Sequence, residues 1–133
     1  MPISGLSHIT FVVRDLERAR KLWCDGLGAQ ELYDSADRTF SLSREKFFML
    51  AGNWIAVMEG EPGTRTYRHV AFQVPEDEIK EYETRVSALG VEVLPARARV
   101  PGEGKSLYFY DFDNNLLELH SGTLNERMRA YGQ

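Results

Sequence analysis

The stretch that decides the fold begins at Ser106, ends at His120 and reads Ser-Leu-Tyr-Phe-Tyr-Asp-Phe-Asp-Asn-Asn-Leu-Leu-Glu-Leu-His. Two runs of β-forming residues flank the polar turn at 113–115, which predicts a β-hairpin. Successive strand residues point to opposite faces, so Leu116, Glu118 and His120 share one face of the second strand. A carboxylate in such an apolar strand is costly to bury unless a cation pairs with it. Glu118 therefore either points into water at a sheet edge or pairs with a cation.

The composition narrows the class of protein. A length of 133 residues with 43% hydrophobic side chains predicts one compact domain. The net charge is −4 and no long run of Lys or Arg occurs, so we expect no nucleic-acid partner. No apolar run could span a membrane, and the first residues lack the pattern of a signal peptide. The single cysteine, Cys24, suits a reducing compartment, and we expect a cytoplasmic protein with no membrane partner.

The chain contains an internal repeat. The segment His69-Val-Ala-Phe-Gln-Val74 has the form of His8-Ile-Thr-Phe-Val-Val13, which lies 61 residues earlier. Val91-Glu-Val-Leu94 likewise follows Ala29-Gln-Glu-Leu32 at an offset of 62 residues. Repetition at a fixed offset indicates a duplicated structural unit. The sequence therefore predicts an α+β fold made of two tandem βαβββ modules.

The predicted modules span about residues 5–60 and 66–121 of a single domain, and a C-terminal helix follows at about 123–130. Strands of module one are expected at 7–13, 29–34, 38–43, 46–51 and 53–59, of which the middle pair at 38–43 and 46–51 could be one long bent strand or hairpin around Arg44-Glu45. Strands of module two are expected at 69–74, 91–95, 106–111 and 116–120. The first helix is predicted to begin after the cap Asp15 and to end at Gly28, and the second is predicted to end at Gly90. A capping box formed by Thr123 and Glu126 begins the C-terminal helix.

The repeat gives a meaning to two histidines. His8 and His69 each open the first strand of a module, whereas an offset of 62 pairs Glu118 with Ala56. Either histidine alone is better explained by a structural role than by metal binding. Together with Glu118 they predict a metal site of two histidines and one carboxylate with open coordination positions, which suits catalysis by a divalent metal.

These features resemble the glyoxalase, or vicinal-oxygen-chelate, superfamily. Within it, the segments at 5–10, 67–69 and 103–111 resemble those of fosfomycin-modifying resistance enzymes. Thr-Phe-Ser-Leu-Ser-Arg-Glu-Lys-Phe-Phe at 39–48 is similar to the FosX type, which hydrates the epoxide of this antibiotic. One departure occurs at 111–114, where Asp-Phe-Asp-Asn replaces the usual Asp-Pro-x-Gly turn.

The resemblance implies an activity and an assembly. The activity is Mn(II)-dependent hydration of fosfomycin to a diol, with His8, His69 and Glu118 as the metal ligands and a small molecule as the substrate. The assembly is an intertwined homodimer in which each cavity uses modules from both chains.

Hydration needs a base that activates water, and Glu45 is the candidate. It lies in the polar segment Ser-Arg-Glu-Lys at 43–46 and matches the catalytic carboxylate of the FosX type. Judged by the segment alone, Glu45 is better explained as a solvated turn residue.

The phosphonate group of the substrate needs hydrogen-bond donors and positive charge. The resemblance assigns substrate contacts to Thr10, Ser106, Tyr108 and Arg127. Arg97 and Arg99 offer forked guanidinium groups that suit phosphonate oxygens. Trp54 is expected to wall the pocket and Tyr67 to form a hydrogen bond near His69, and each could equally belong to the ordinary core.

Three alternatives remain open from the sequence. A thiol transferase would open the same epoxide with glutathione or another small thiol, and would not need the carboxylate of Glu45. Two histidines and a carboxylate also suit Fe(II) and oxygen chemistry. A metal-free drug-binding protein of the same fold would not need the three metal ligands.

Overall fold

A computed structural model describes residues 2–133 of the chain. These residues form two compact units, of which the first ends at Thr64 and the second begins at Arg65. Each unit contains one four-stranded sheet and one main helix, so the predicted α+β class is confirmed. In the described part of the chain, no helix has the length and apolar character that crossing a bilayer requires.

The first unit has strands β1, β2, β3 and β4 in the spatial order β1-β4-β3-β2. They span His8–Val13, Gln30–Asp34, Glu45–Leu50 and Asn53–Glu59. β1 and β4 are parallel, whereas β3 pairs antiparallel with both β4 and β2. A parallel pair needs a crossover connection, and the helix after β1 begins that connection.

Helix α1 covers Leu16–Arg20 and continues as a π-helical segment at Lys21–Gly26. The Asp15 side chain accepts a hydrogen bond from the Arg18 N–H at 3.0 Å, as its predicted capping role requires. Gly28 has a φ of 80°, which a glycine adopts without strain and which ends the helix. The apolar face of the helix packs on one face of the sheet, where the rings of Phe11 and Trp23 lie 5.3 Å apart.

The second unit repeats this design with strands β5, β6, β7 and β8 in the order β5-β8-β7-β6. They span His69–Gln73, Glu92–Val93, Ser106–Tyr110 and Leu116–His120. Helix α2 covers Ile79–Ala88 and contacts β6 and β7, and helix α3 covers Leu124–Ala130. The predicted capping box of α3 is present, because Thr123 and Glu126 exchange hydrogen bonds.

The two sheets have the same strand register. Thr10 pairs with Ala56 across β1 and β4, and Ala71 pairs with Glu118 across β5 and β8. Ala56 and Glu118 therefore occupy equivalent positions, as the offset predicts. Because the side chains of paired strand residues lie on the same face, this register decides which polar groups share a face in each unit.

Two strand predictions were wrong: one predicted strand is absent, and another is shorter than predicted. Residues 38–43 form bends rather than a strand, and Phe40 and Leu42 are exposed. The segment lies between β2 and β3, which already pair with each other, so it forms the connection between these two strands. The strand predicted at 91–95 is reduced to Glu92–Val93, because Pro95 lacks the N–H that would extend the ladder.

The β7–β8 hairpin is confirmed, and one aspartate organises its turn. The Asp111 carboxylate accepts hydrogen bonds from the backbone N–H groups of Asp113 and Asn115, both at 2.8 Å. Asn114 has a φ of 68°, the left-handed conformation that asparagine tolerates. The turn thus closes without the proline and glycine of the usual family sequence.

Candidate active site

One face of the second sheet carries most of the predicted site. The register places Tyr108 beside Glu118 and Ser106 beside His120 on this face, and His69 belongs to the same face of β5. The opposite face is apolar and buried. Each strand therefore separates a polar face for chemistry from an apolar face for stability, as alternation requires.

The two oxygens of the Glu118 carboxylate have different neighbours, and the residue is only 4% exposed. Oε1 lies 3.1 Å from His69 Nε2. Oε2 accepts a hydrogen bond from the Ser106 hydroxyl and lies 3.5 Å from an Arg99 guanidinium nitrogen. Burial alone would raise the pKa of Glu118, but hydrogen bonds from Ser106 and Tyr108 and the nearby histidines lower it. Glu118 is therefore held as a carboxylate.

His69 is oriented by the backbone. Its Nδ1 lies 2.7 Å from the carbonyl oxygen of Tyr67, and a carbonyl can only accept, so Nδ1 carries the proton. Nε2 faces Glu118 Oε1 at 3.1 Å. A metal-binding histidine usually has its second nitrogen fixed in this way. The imidazole nitrogen and the carboxylate oxygen are a donor pair that suits a divalent transition metal.

His8, the third predicted ligand, lies on β1 of the first unit. Its ring stacks on Trp54 with centroids 4.2 Å apart, and its Nδ1 lies 2.9 Å from the Ser7 hydroxyl. Thr10 lies on the same face of this sheet as His8. The Trp54 Nε1 is buried and has no acceptor among residues 2–133, so it is a donor to which a ligand oxygen could bind.

Glu45 is not a solvated turn residue. It is the first residue of β3, it is 8% exposed, and its register with Met58 places it on the same sheet face as His8 and Thr10. Its backbone is fixed by Ser35, which exchanges hydrogen bonds with the Glu45 N–H and carbonyl at 2.9 and 3.0 Å. The alternative drawn from the polar segment was wrong because β3 begins one residue earlier than the sequence predicts.

The predicted metal ligands thus occur as the pair His69 and Glu118 in one unit and as His8 in the other. Over residues 2–133 there is no group of three or more His, Cys, Asp or Glu side chains that could hold a metal ion. A complete three-ligand site stays a prediction.

Predicted phosphonate contacts line a cavity of about 710 Å³ in the second unit. Arg97, Arg99, Ser106 and Tyr108 all lie on its wall. Arg99 reaches the Ser106 hydroxyl, and its guanidinium also lies 3.3 Å from the Tyr108 hydroxyl. Burial raises the pKa of Tyr108, so its hydroxyl stays protonated and can donate. The volume and the convergent donors suit a small anionic ligand.

Tyr67 lies at the edge of this arrangement. Its side chain is largely exposed, and its hydroxyl donates to the Tyr108 hydroxyl at 3.3 Å. Its ring lies 4.9 Å from the ring of His69. Tyr67 is therefore not a core residue in this unit, and its role in substrate binding stays a prediction.

Arg127 contacts a residue for which the sequence suggested no role. Its guanidinium nitrogen donates to His120 Nε2 at 3.3 Å, and His120 Nδ1 lies 2.7 Å from the Ser106 hydroxyl. Burial lowers the pKa of His120, with a smaller effect from the two nearby arginines. The hairpin pattern places His120 opposite Ser106 and on the same face as Glu118. It gives the position of His120 but not its hydrogen bonds.

Comparison with known proteins agrees with this geometry. Residues 5–119 match the family model of the Glyoxalase/Bleomycin resistance protein/Dioxygenase superfamily. The fosfomycin resistance protein FosX of Listeria monocytogenes is 54% identical over 97% of this chain and 98% of its own length. The metallothiol transferase FosB of Shouchella clausii is 31% identical over 97% of this chain and 88% of its own length.

A solved structure is similarly close. It is the crystal structure of a Glu-to-Gln mutant of FosX from Listeria monocytogenes, complexed with Mn(II) and 1S,2S-dihydroxypropylphosphonic acid. It matches with a TM-score of 0.90 and 55% identity, over 96% of this chain and 99% of that one. The chain therefore belongs to the glyoxalase superfamily and, within it, to the FosX group of fosfomycin resistance proteins.

Proposed function

We propose that this protein is a Mn(II)-dependent hydrolase that opens the epoxide of fosfomycin with water and so gives antibiotic resistance. The diol held by the similar FosX structure is the product that this reaction would form. The single observation that carries the proposal is the buried carboxylate of Glu45 on the sheet face of His8 and Thr10. A base in that position suits water as the nucleophile, whereas a thiolate would arrive already deprotonated.

The proposed metal ligands are His8, His69 and Glu118. Mn(II), when bound, supplies a Lewis acid that stabilises negative charge on the epoxide oxygen as the ring opens. His69 Nε2 and Glu118 Oε1 lie 3.1 Å apart, so one metal ion could take both atoms as ligands.

The chain's own residues provide binding and proton transfer. Arg97 and Arg99 hold the phosphonate by charge-assisted hydrogen bonds, and Tyr108 adds a neutral donor. Trp54 offers its Nε1 to a substrate oxygen. Glu45 accepts a proton from water as the water oxygen attacks an epoxide carbon and the bond from that carbon to the epoxide oxygen breaks. The epoxide oxygen then takes up a proton from solvent and Glu45 releases its proton to solvent, which completes the diol and restores the base.

The proposal includes one domain per chain and a homodimer. The modules span about 5–60 and 66–121, followed by the helix at about 123–130, and each cavity takes its His8 module from one chain and its Glu118 module from the other. Exposed apolar side chains of the first unit, at Ile3, Leu6, Phe40 and Leu42, suit burial against another chain. Sedimentation at micromolar concentration tests this, and a fully active monomer would refute it. A cytoplasmic location is also proposed, on the single cysteine.

Product analysis by ³¹P NMR tests the reaction. The metal-loaded protein should convert fosfomycin to the diol without any thiol, and glutathione should neither be required nor appear in the product. A protein that needs glutathione would instead be a thiol transferase. A protein that binds fosfomycin equally well after metal removal, with no product, would be a metal-free binding protein.

Glu45→Gln tests the base. The variant keeps the size and hydrogen-bonding capacity of the side chain but cannot accept the proton, so hydration should fall about 10²- to 10⁴-fold. Mn(II) and fosfomycin should still bind. Glu61→Gln is the matched control, because Glu61 is exposed and its one ion pair within residues 2–133 is a long contact to Arg14 at 3.7 Å. Parental hydration by Glu45→Gln would place the base elsewhere.

A further inference from the structure

We propose that His120 is a positioning residue, which directs the only proton of the Ser106 hydroxyl to Glu118 Oε2 and thereby keeps Oε1 for the metal. The proposal rests on the proposed function in one respect, the assignment of Glu118 as a metal ligand. Nothing in the sequence pattern gave His120 a role, and it does not line the cavity of the phosphonate contacts. Its role follows from the direction of four hydrogen bonds.

The first step fixes the tautomer of His120. The guanidinium nitrogen of Arg127 lies 3.3 Å from Nε2, and guanidinium can only donate. Nε2 therefore accepts and carries no proton. A neutral imidazole has its single proton on the other nitrogen, so the proton of His120 is on Nδ1.

The second step fixes the Ser106 hydroxyl. Its oxygen lies 2.7 Å from His120 Nδ1 and is also contacted by a guanidinium nitrogen of Arg99. Both of these groups donate, so they use the two acceptor positions of the hydroxyl. The third neighbour is Glu118 Oε2, which as a carboxylate oxygen can only accept. The hydroxyl proton is thus directed to Glu118.

The third step is the effect on Glu118. Oε2 receives the Ser106 proton and lies 3.5 Å from Arg99, so this oxygen is already engaged. Oε1 is left facing His69 Nε2 at 3.1 Å, where a metal ion would need it. Hydrogen bonds in such a chain polarise and strengthen one another. Outer groups that orient a ligating carboxylate are commonly worth 10- to 100-fold in metal affinity.

The ring of His120 has little freedom to leave this position. Gly122 lies against it, and a Cβ atom on Gly122 would be 2.8 Å from His120 Nε2 and 2.5 Å from the carbonyl oxygen of Glu103. Only a residue without a side chain fits there. The Gly122 backbone therefore limits movement of the imidazole ring on its Nε2 side.

The tautomer is tested on the metal-free wild-type protein, which needs no assumption about activity. Long-range ¹H–¹⁵N correlation spectra of the three histidines distinguish a protonated Nδ1 from a protonated Nε2. We expect His120 to be protonated on Nδ1 alone. A spectrum with the proton on Nε2 would overturn the proposal, because Nδ1 could then not donate to Ser106.

The effect on the metal is tested by titrating each variant with Mn(II) and following free Mn(II) by EPR, without substrate. His120→Leu and Ser106→Ala should each weaken binding about 10- to 100-fold. His120→Asn should bind within about threefold of wild type, because its side-chain amide nitrogen can take the place of Nδ1. Failure of that rescue, with a folded variant by circular dichroism, would contradict a role for the Nδ1 proton.

Two further variants complete the experiment. Ser121→Ala is the matched control, since within residues 2–133 the Ser121 hydroxyl accepts a hydrogen bond from the Lys105 N–H. The Mn(II) affinity of this variant should be unchanged. The double variant Ser106→Ala with His120→Leu should bind no more weakly than the weaker single variant, because both remove the same interaction. Additive losses would show that the two residues act independently.

The outcomes separate this proposal from the proposed function. If the wild-type protein yields diol and His120→Leu keeps full Mn(II) affinity, the positioning role of His120 is rejected and the hydrolase function stands. If the wild-type protein shows the Nδ1 tautomer and His120→Leu binds Mn(II) more weakly, the positioning role stands. If the same wild-type protein yields no diol, the proposed reaction is rejected.

Discussion

Trp54 illustrates at the level of one residue how a buried donor without an acceptor points to a ligand. Its indole packs between the rings of His8 and Phe47, with centroids 4.2 and 5.1 Å away. A buried N–H that has no partner costs free energy in the absence of ligand. Such a cost is tolerated where the substrate supplies the missing acceptor.

Trp54→Phe should therefore raise the KM for fosfomycin about two- to tenfold, the value of one net hydrogen bond, with a smaller effect on kcat. The phenyl ring keeps the aromatic stack on His8, so the melting temperature should change little. Steady-state kinetics followed by ³¹P NMR provide the measurement. An unchanged KM would show that the indole N–H does not contact the substrate and that Trp54 is only a wall residue.

At the level of elements, the junction between the loop before β7 and the end of β8 depends on two glycine backbones in close contact. A Cβ on Gly104 would lie 2.7 Å from the Gly122 nitrogen, and a Cβ on Gly122 would meet Glu103 and His120. The loop that carries Arg97 and Arg99 is thus tied to the strand that carries Glu118.

Gly122→Ala should lower the free energy of unfolding by about 1–3 kcal/mol, the usual cost of overpacking against backbone atoms. It should also weaken Mn(II) binding, because the methyl group displaces the His120 ring. Urea unfolding and Mn(II) titration measure the two effects. Gly63→Ala is the control, since a Cβ at Gly63 meets nothing within 4 Å, and equal losses in both variants would contradict the role of this contact.

β2 and β3 are joined by a buried lysine. The Lys46 ammonium lies 2.8 Å from Asp34 and 2.7 Å from Glu31, and its side chain is 7% exposed. The hydrogen bond from Lys46, followed by one from the Ala36 N–H, lowers the pKa of Asp34. Because the pKa of Asp34 is lower in the folded protein than in the unfolded chain, its ionised form stabilises the folded protein at pH values above the ordinary pKa, near 4. This stabilisation is lost as the pH falls through the lowered pKa of the folded protein.

Asp34→Asn should accordingly destabilise the protein at neutral pH by less than about 1 kcal/mol, since half of the Asp34 side chain is in solvent. The difference between the two proteins should shrink as the pH falls below about 4. Urea unfolding from pH 7 to pH 3 measures it, with Asp37→Asn on the following loop as control. A difference of the same size at pH 3 and at pH 7 would mean that the charge of Asp34 is not its source.

For the whole molecule, the sequence predicted what depends on period and repetition. The duplicated βαβββ pattern, the hairpin, the helix signals at Asp15 and Gly28 and the pairing of Ala56 with Glu118 were all visible as alternation or offset. It failed at 38–43, where alternation is present but the segment connects β2 to β3, which already pair with each other. It also missed His120, because hydrogen-bond direction depends on Arg127 and Ser106, which are distant in sequence from each other.

The placement of Glu45 in the first unit and Glu118 in the second has a genetic consequence. If each cavity takes one module from each chain, two inactive alleles should complement one another. In a dimer of a Glu45→Gln chain with a Glu118→Gln chain, one cavity receives both substitutions and the other receives none. Cells that express both alleles equally should regain about a quarter of the parental active sites and with them some fosfomycin resistance.

Cells that express either allele alone should stay sensitive at the same protein level. The readout is growth on fosfomycin, with immunoblots to match expression. If the cavity were instead completed within one chain, every site would carry one of the two lesions and the doubly transformed cells would remain sensitive. A resistance gene of this design could therefore survive as two damaged copies, provided that the damage falls on opposite sides of Thr64.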